Sequence, residues 1–413
     1  MKKIITLLPG DGIGPEIIEE ATKALAAIAS KFGHTFKFQY GLIGAAAIDK
    51  CGEPYPAATH EMCLNCHAIL FGAIGHPKYD NNPSAKVRPE QGLLKMRREL
   101  GLFANIRPVQ LFSSLKHRSP LREEIIKGVD LVIVRELTGG IYFGEPRGLN
   151  QEGTIAFDTC VYSIAEVERI AKTAFQIALT RAAAKRENQQ ATDSLEATDS
   201  IKPSEPFKPK VTLVDKANVL ATSQLWRETV KKLHESQFPE VELEFMFVDN
   251  AAMQLVTAPS KFDVILTENM FGDILSDQAS VLTGSIGLLP SASFGSNVPL
   301  FEPIHGSYPQ AAGKNIANPL ATILSAALML RNAFGLQEEA KTLEAACKAA
   351  IDNNILTEDL WEPHLTNNKG QSKEKTQIIE KQAHTKNNQE RTKAYSTSEV
   401  GNFIVQFIEN SSS

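Results

Sequence analysis

Three arginines stand in apolar surroundings interrupted by glycine and proline: Arg97, Arg107 and Arg135. A guanidinium presents N–H donors in a rigid plane and binds a carboxylate through two parallel hydrogen bonds. If the three side chains converge, they form a rigid clamp for a small dicarboxylate. A single arginine is more often a surface charge, so this prediction depends on their convergence.

A pair of aspartates, Asp273 and Asp277, could bind a divalent cation. The two are four residues apart, so on a helix they share one face, where like charges repel by roughly 0.2–0.5 kcal/mol. Carboxylate oxygens suit Mg²⁺ or Mn²⁺, and a bound cation would turn this repulsion into binding. The alternative is an acidic first helical turn favoured by the helix dipole, which would explain Asp273 better than Asp277.

Lys216 follows the apolar run Val211–Val214 and is a candidate general base. A lysine at the end of a strand is equally well explained as a surface charge. Close to a bound cation, however, its pKa would be lowered, as a general base requires.

Two short motifs suggest other functions, and we set both aside. Cys63, Cys66 and His67 match the C-x-x-C-H pattern of covalent haem attachment, but they lead into an apolar run and no export signal precedes them. A structural zinc site would need two further ligands. Gly10, Gly12 and Gly14 resemble a dinucleotide fingerprint, but Pro15 stands where that motif requires its third glycine. We therefore interpret this segment as a tight turn between a strand and a helix.

The elements that must position these residues alternate between strands and helices. Apolar runs at 4–8, 68–72, 131–134, 211–214 and 264–266 are typical of buried strands, and 15–32 has the periodicity of an amphipathic helix. This alternation predicts an α/β fold with substantial parallel sheet. The polar segments 185–210 and 362–393 cannot bury much apolar surface and are predicted to be surface insertions or loops.

The composition narrows the function classes. A chain of 413 residues is long enough for two domains, and 43% hydrophobic with 22% charged residues is ordinary for a soluble globular protein. The net charge of −5 gives no reason to expect nucleic acid or an anionic membrane as a partner. We expect a cytoplasmic protein without membrane spans, in which the five cysteines are free thiols.

Long blocks of the sequence resemble the β-decarboxylating dehydrogenases, the family that acts on isopropylmalate, isocitrate, homoisocitrate and tartrate. The blocks occur in family order at 10–15, 89–108, 135–148, 214–219, 269–277, 302–307 and 315–319. Only the two polar segments fall outside the match. The resemblance implies a two-lobed isopropylmalate dehydrogenase-like α/β fold with a shared central sheet, and not a Rossmann fold. One lobe would comprise 1–102 and 284–413, and the other 103–283.

The resemblance also assigns roles to the residues described above. The three arginines would bind the malate carboxylates. Asp273 and Asp277 would hold Mg²⁺ or Mn²⁺ together with Asp249 of the other subunit, which would also contact substrate. Lys216 would take the hydroxyl proton, and Tyr142 would protonate the enolate after CO₂ has left. Because Lys216 and Asp249 act across a subunit boundary in the family, we expect a homodimer with shared active sites.

Substrate and cofactor preferences follow from two further segments. Glu90, Leu93 and Leu94 form the E-x-x-L-L pattern of family members that oxidise isopropylmalate, and the leucines offer an apolar wall that would leave a third carboxylate unpaired. Tartrate- or malate-like substrates are the alternative. A non-catalytic regulatory subunit is disfavoured because Lys216 and Tyr142 are present.

The implied cofactor is NAD. Its site would comprise Ile13, Glu90, Asn218, Glu302, His305, Gly306, Ser307, Gln310 and Asn318. Gln310 departs from the family pattern, because NAD-dependent members commonly have aspartate there. An aspartate would bind the adenosine ribose and repel a 2′-phosphate, whereas glutamine lacks the charge. The sequence therefore predicts a preference for NAD that is weaker than usual.

Overall fold

One ten-stranded sheet runs through the computed structural model. The structure describes residues 1–80, 82, 85–195, 207–361 and 393–411, with backbone only for 188–195. The strand order is β2-β1-β3-β12-β11-β4-β5-β10-β8-β9. Its strands are β1 (Lys2–Gly10), β2 (Thr35–Tyr40), β3 (Ala68–Ala73), β4 (Leu102–Gln110), β5 (Asp130–Glu136), β8 (Lys210–Asp215), β9 (Glu242–Phe247), β10 (Val264–Thr267), β11 (Pro290–Gly295) and β12 (Leu300–Pro303). A separate hairpin pairs β6 (Gly148–Leu149) with β7 (Ala156–Phe157).

Helices cover both faces of this sheet. They are α1 (Gly14–Phe32), α2 (Ala45–Cys51), α3 (Ala57–Leu64), α4 (Pro77–Asp80), α5 (Pro89–Glu99), α6 (Glu123–Ile126), α7 (Ile164–Leu195), α8 (Ala221–Gln237), α9 (Val248–Thr257), α10 (Asn269–Ser280), α11 (Leu320–Phe334), α12 (Gln337–Asp352) and α13 (Thr397–Asn410). Among the described residues, no helix combines the length and apolar character that a membrane span requires.

The sheet consists of two parallel blocks joined by antiparallel pairings. Strands β2, β1, β3 and β12 form one parallel block, and β5, β10, β8 and β9 form the other. Between them β11 runs antiparallel to both β12 and β4, and β4 runs antiparallel to β5. Each block has its own apolar core, one built on α1, α11, α12 and α13, the other on α7 and α8. The predicted two-lobed α/β fold with a shared central sheet is confirmed.

The glycine turn after β1 packs against the protein's own backbone. Gly10 and Gly12 both have positive φ, and a Cβ on Gly12 would lie 1.9 Å from the carbonyl oxygen of Ser307. The backbone N–H of Ile13 donates to that same carbonyl at 2.9 Å. Glycine is needed here because the turn approaches the loop at 307, as expected of a strand-to-helix turn.

In the C-x-x-C-H segment Cys63 lies in the apolar core, whereas Cys66 is half-buried and His67 is exposed. Cys63 is fully buried at the end of α3, and burial raises the pKa of its thiol to about 12. The Cys66 thiol donates to the carbonyl of Cys63, and His67 Nδ1 accepts the backbone N–H of Ile4 at 3.1 Å. Cys66 and His67 therefore already have hydrogen-bond partners within the protein.

The two polar segments are only partly described. Residues 185–195 continue helix α7, and 196–206 lie outside the described residues, as do 362–392. The two stretches of chain that flank the second undescribed segment are bonded to neighbouring residues. The backbone N–H of Trp361 donates to the carbonyl of Thr357 at 2.9 Å, and that of Tyr395 donates to the carbonyl of Leu356 at 2.8 Å.

Candidate active site

The three arginines converge where the two blocks of the sheet meet. Arg97 lies near the end of α5, Arg107 on β4 and Arg135 on the neighbouring β5, and all three are buried. Burial, followed by the nearby positive charge of Arg107, lowers the pKa of Arg135 to about 9. Burial also lowers the pKa of Arg107, and the positive charge of Arg97 adds to this shift while Asp273 opposes it. An arginine guanidinium stays protonated in proteins, so the cluster attracts anions.

Helix α10 places two carboxylates against this cluster. Asp273 forms an ion pair with Arg135 and lies 3.8 Å from Arg107, while Asp277 lies 3.7 Å from Arg107. Asp273 is the fifth residue of α10, beyond its first turn, so attraction to the helix dipole explains neither aspartate. Burial and the charge of Asp273 raise the pKa of Asp277, although Arg107 opposes the shift. A bound cation would relieve this repulsion, and two hard oxygen ligands on one helical face suit Mg²⁺ or Mn²⁺.

Tyr142 lies beside the same carboxylates. It ends the short 3₁₀ turn Gly140–Tyr142, and its hydroxyl donates to Asp273 Oδ2 at 3.2 Å. Burial, followed by the negative charge of Asp273, raises the pKa of the Tyr142 phenol. The phenol is therefore protonated at neutral pH and can act as a proton donor.

Lys216 and Asp249 form a separate pair. Lys216 follows β8 and Asp249 is the second residue of α9, with Lys216 Nζ 2.6 Å from Asp249 Oδ1. The hydrogen bond from Lys216 lowers the pKa of Asp249. Among the described residues no three histidine, cysteine or acidic side chains gather into a cation site. One chain thus brings Asp273 and Asp277 together, but it does not bring Asp249 to them.

The residues predicted to select the substrate lie on α5. Glu90, Leu93 and Leu94 are half-buried and precede Arg97 on the same helix. A Cβ on Gly75 would lie 3.0 Å from Glu90 Oε1 and 3.4 Å from Ser307 Oγ, so Glu90 also borders the predicted cofactor segment.

The predicted cofactor residues form a continuous wall at 302–310, with Ile13 packed beneath it. Ile13 is buried, and Glu302 on β12 is paired with Arg97 at 3.0 Å. His305 Nδ1 lies 3.0 Å from the carbonyl oxygen of Gly306, and burial lowers the pKa of this histidine. Beside it, a Cβ on Gly306 would meet no neighbour within 4 Å, and the exposed Gln310 lies in the short turn Pro309–Ala311.

Two predicted cofactor residues are placed differently. Asn218 lies in the exposed turn after β8, beside Lys216 rather than in the 302–310 wall. The Asn318 side chain is already engaged, because Nδ2 donates to Asp359 at 3.0 Å and Oδ1 accepts the backbone N–H of Leu320 at 3.0 Å.

Asp11 and Glu16, which the sequence analysis did not single out, bind backbone N–H groups of loops around the predicted cofactor site. The buried Asp11 carboxylate accepts backbone N–H groups from Ala45, Ala46 and Gly75, each at 3.0 Å. Glu16 accepts the backbone N–H groups of Gly313 and Asn315. An acidic residue between two glycines after a strand is the only signal that pointed to Asp11.

The sequence of this chain is similar to those of known proteins. The sequence profile of the isocitrate/isopropylmalate dehydrogenase family matches residues 4–194 and 196–399. The 3-isopropylmalate dehydrogenase of Bacillus subtilis is 53% identical over 364 residues, covering 87% of this chain and 92% of that protein. That of Bacteroides fragilis is 49% identical over 356 residues, with coverage of 86% and 92%.

A solved structure extends the comparison to the fold. The isocitrate dehydrogenase of Methylococcus capsulatus superposes with a TM-score of 0.75 at 31% identity, covering 99% of this chain and all of that one. The profile match, these relatives and the shared fold together show that the chain belongs to the isocitrate/isopropylmalate dehydrogenase family.

Proposed function

We propose that this chain catalyses the oxidative decarboxylation of 3-isopropylmalate to 4-methyl-2-oxopentanoate and CO₂ with reduction of NAD, in leucine biosynthesis in the cytoplasm. The observation that carries the proposal is the cluster of Arg97, Arg107 and Arg135 against Asp273 and Asp277. It offers positive charge for two carboxylates and oxygen ligands for a cation in one cleft. The half-buried Leu93 and Leu94 add an apolar wall for the isopropyl group.

The chain's own residues divide the chemistry among them. The arginines bind and orient the dicarboxylate, which lowers the entropic cost of reaching the transition state. Lys216, supplied by the partner subunit, takes the hydroxyl proton, and NAD, when bound, would accept the hydride. Tyr142 returns a proton to carbon after CO₂ has departed. Mg²⁺ or Mn²⁺, held by Asp273, Asp277 and Asp249 of the partner subunit, would polarise the ketone oxygen when bound.

The division of the site supports the proposal of a homodimer. Lys216 and Asp249 pair with each other and not with Asp273 and Asp277, so the set is incomplete within one chain. Exposed apolar side chains near these residues support a subunit interface there. Met253 on α9 is 58% exposed and Ile274 on α10 is 57% exposed. Leu149 and Ile155 on the β6–β7 hairpin are exposed as well.

We also propose that the lobes divide at 102/103 and 283/284. The chain passes between the two parallel blocks of the sheet through β4 and β11, which pair with each other. The first boundary falls at the start of β4, and the second precedes β11. The arginine cluster lies at this junction, so lobe movement would open or close the cleft.

An assay of NADH formation tests the proposed function directly. Isopropylmalate, isocitrate, tartrate and malate would each be supplied with NAD, with and without Mg²⁺. We expect isopropylmalate to have the highest kcat/KM. A higher value for tartrate or malate would instead identify the alternative substrate class, for which the same arginines would serve.

Gln310 gives a prediction on cofactor choice. Gln310→Asp should raise the NAD/NADP ratio of kcat/KM about tenfold, roughly 1.4 kcal/mol, because a carboxylate binds the ribose hydroxyls and repels a 2′-phosphate. Gln310 is exposed, and no lysine or arginine occurs between Ser307 and Gly313, although Lys314 follows directly.

The measurement is kcat/KM for both cofactors in the wild type and the variant, with the exposed Gln337→Asp as the control that leaves the ratio unchanged. If the wild type uses NADP as well as NAD, or if the ratio stays constant in Gln310→Asp, cofactor choice is set elsewhere.

A further inference from the structure

Two of the clustered arginines are held from behind by asparagines. Arg135 donates from Nε at 3.1 Å and from Nη2 at 2.9 Å to Asn269 Oδ1. Arg107 donates from Nε at 2.6 Å to Asn105 Oδ1. Arg135 Nη1 and Arg107 Nη2 face Asp273, on the side of the candidate cation site. Arg107 Nη1 donates to Ser276 Oγ and lies 3.7 Å from Asp277 on the same side. Each asparagine therefore binds one edge of a guanidinium and leaves other donors toward the cleft.

The asparagines are themselves fixed. Both are buried, and the Asn105 amide donates to Ser293 Oγ at 3.0 Å and less closely to Ser291 Oγ at 3.4 Å. The Asn269 amide donates to the carbonyl of Gly139 at 3.2 Å. Asn105 is also the direct cross-strand partner of Arg135 in the sheet. The amide oxygens consequently have defined positions, and so do the guanidinium planes that they bind.

The chemical type of these partners matters as much as their position. Arg97, the third arginine, is paired with the carboxylate of Glu302, which offsets its charge. An asparagine oxygen accepts the same hydrogen bonds without carrying a negative charge. In a buried site electrostatic interactions are strengthened. The asparagines add no negative charge behind Arg107 and Arg135, whose acidic neighbours Asp273 and Asp277 lie on the side of the candidate cation site.

We propose that Asn105 and Asn269 are positioning residues that orient Arg107 and Arg135 for the substrate carboxylates without adding a negative charge of their own behind them. This rests on the proposed function insofar as the ligand is a dicarboxylate. The side-chain amide fixes the direction of each guanidinium, and its neutrality preserves affinity for the dianion.

Asn105→Asp is the sharper test, because it keeps the shape and the acceptor while adding a negative charge. The protein should still fold, because the serine hydroxyls beside Asn105 can turn to donate to the new carboxylate. We expect the Kd for 3-isopropylmalate, measured calorimetrically with Mn²⁺ present, to rise about 100-fold. The Kd for NAD and the melting temperature should stay near wild type. Asn353→Asp, at an exposed helix end, is the matched control.

Asn269→Ala tests orientation separately, because it removes the acceptor but leaves the charge of Arg135. We expect kcat to fall about 100-fold and the affinity for 3-isopropylmalate to fall less than tenfold. The proposal is overturned if Asn105→Asp binds 3-isopropylmalate within threefold of wild type, or if it loses NAD affinity equally. Equal affinity losses in Asn105→Asp and Asn269→Ala would also overturn it. If the wild type oxidises tartrate instead, the proposed function fails, but the same losses measured with tartrate support the role of the asparagines.

Discussion

Lys216→Met should lower kcat at least about 1,000-fold, a loss of roughly 4 kcal/mol in transition-state stabilisation. Methionine has a similar length but cannot accept the hydroxyl proton, and no other lysine is placed beside Asp249 within the described residues. The fold should tolerate the change, since Lys216 is half-buried at the end of β8. The measurement is NADH formation at saturating isopropylmalate, NAD and Mn²⁺, together with thermal unfolding.

Two companion variants separate proton transfer from the ion pair. Lys216→Arg can maintain the pair with Asp249, but a guanidinium remains protonated, so this variant should be nearly as inactive. Lys231→Met changes an exposed lysine of α8 that is paired only loosely with Glu235, at 3.9 Å, and should retain full activity. A Lys216→Met enzyme with more than a tenth of wild-type kcat would exclude Lys216 as the general base.

Asp277→Asn should lower kcat/KM about 1,000-fold and raise the concentration of Mn²⁺ needed for half-maximal activity more than tenfold. An amide is a weaker ligand for a hard cation than a carboxylate, and the stabilisation that the cation gives the ketone oxygen would be lost. The Asp277 side chain is 61% exposed and lies 3.7 Å from Arg107, so its replacement should not disturb the fold. The measurement is a Mn²⁺ titration of isopropylmalate oxidation.

Wild-type protein treated exhaustively with a chelator provides the second half of this experiment. Its activity should disappear and return on addition of Mn²⁺ or Mg²⁺. Glu338→Gln, the same carboxylate-to-amide change at an exposed position of α12, should behave as wild type. Undiminished turnover in the chelated enzyme would show that Asp273 and Asp277 serve the arginines rather than a cation.

The elements that carry the site were predictable because their patterns are local. The apolar runs ending at Val134, Val214 and Leu266 all lie within strands, and the four-residue spacing of Asp273 and Asp277 places both on one helix. Strand burial and helical period are encoded within about ten neighbouring residues, so a single sequence reveals them.

The centre of the sheet was not predictable in this way. Strand β11 pairs with β4 across almost two hundred residues, and no local pattern specifies which strands meet or in which direction. Asn105 and Asn269 were missed for a related reason. Their role depends on arginines that the fold brings beside them, and an asparagine in an apolar segment has no distinctive spacing. The engaged side chain of Asn318 likewise depends on Asp359, a distant residue.

The hydrogen bonds of Trp361 and Tyr395 have an evolutionary consequence. They hold the chain at one place on either side of residues 362–392, since the carbonyls that accept them belong to neighbouring residues, Leu356 and Thr357. The free energy of closing a segment between fixed ends grows only with the logarithm of its length, about 0.6 kcal/mol for each doubling. Insertions and deletions at this position are therefore nearly neutral for the core, and homologous lineages are expected to differ freely here in length while Leu356 and Tyr395 keep their contact.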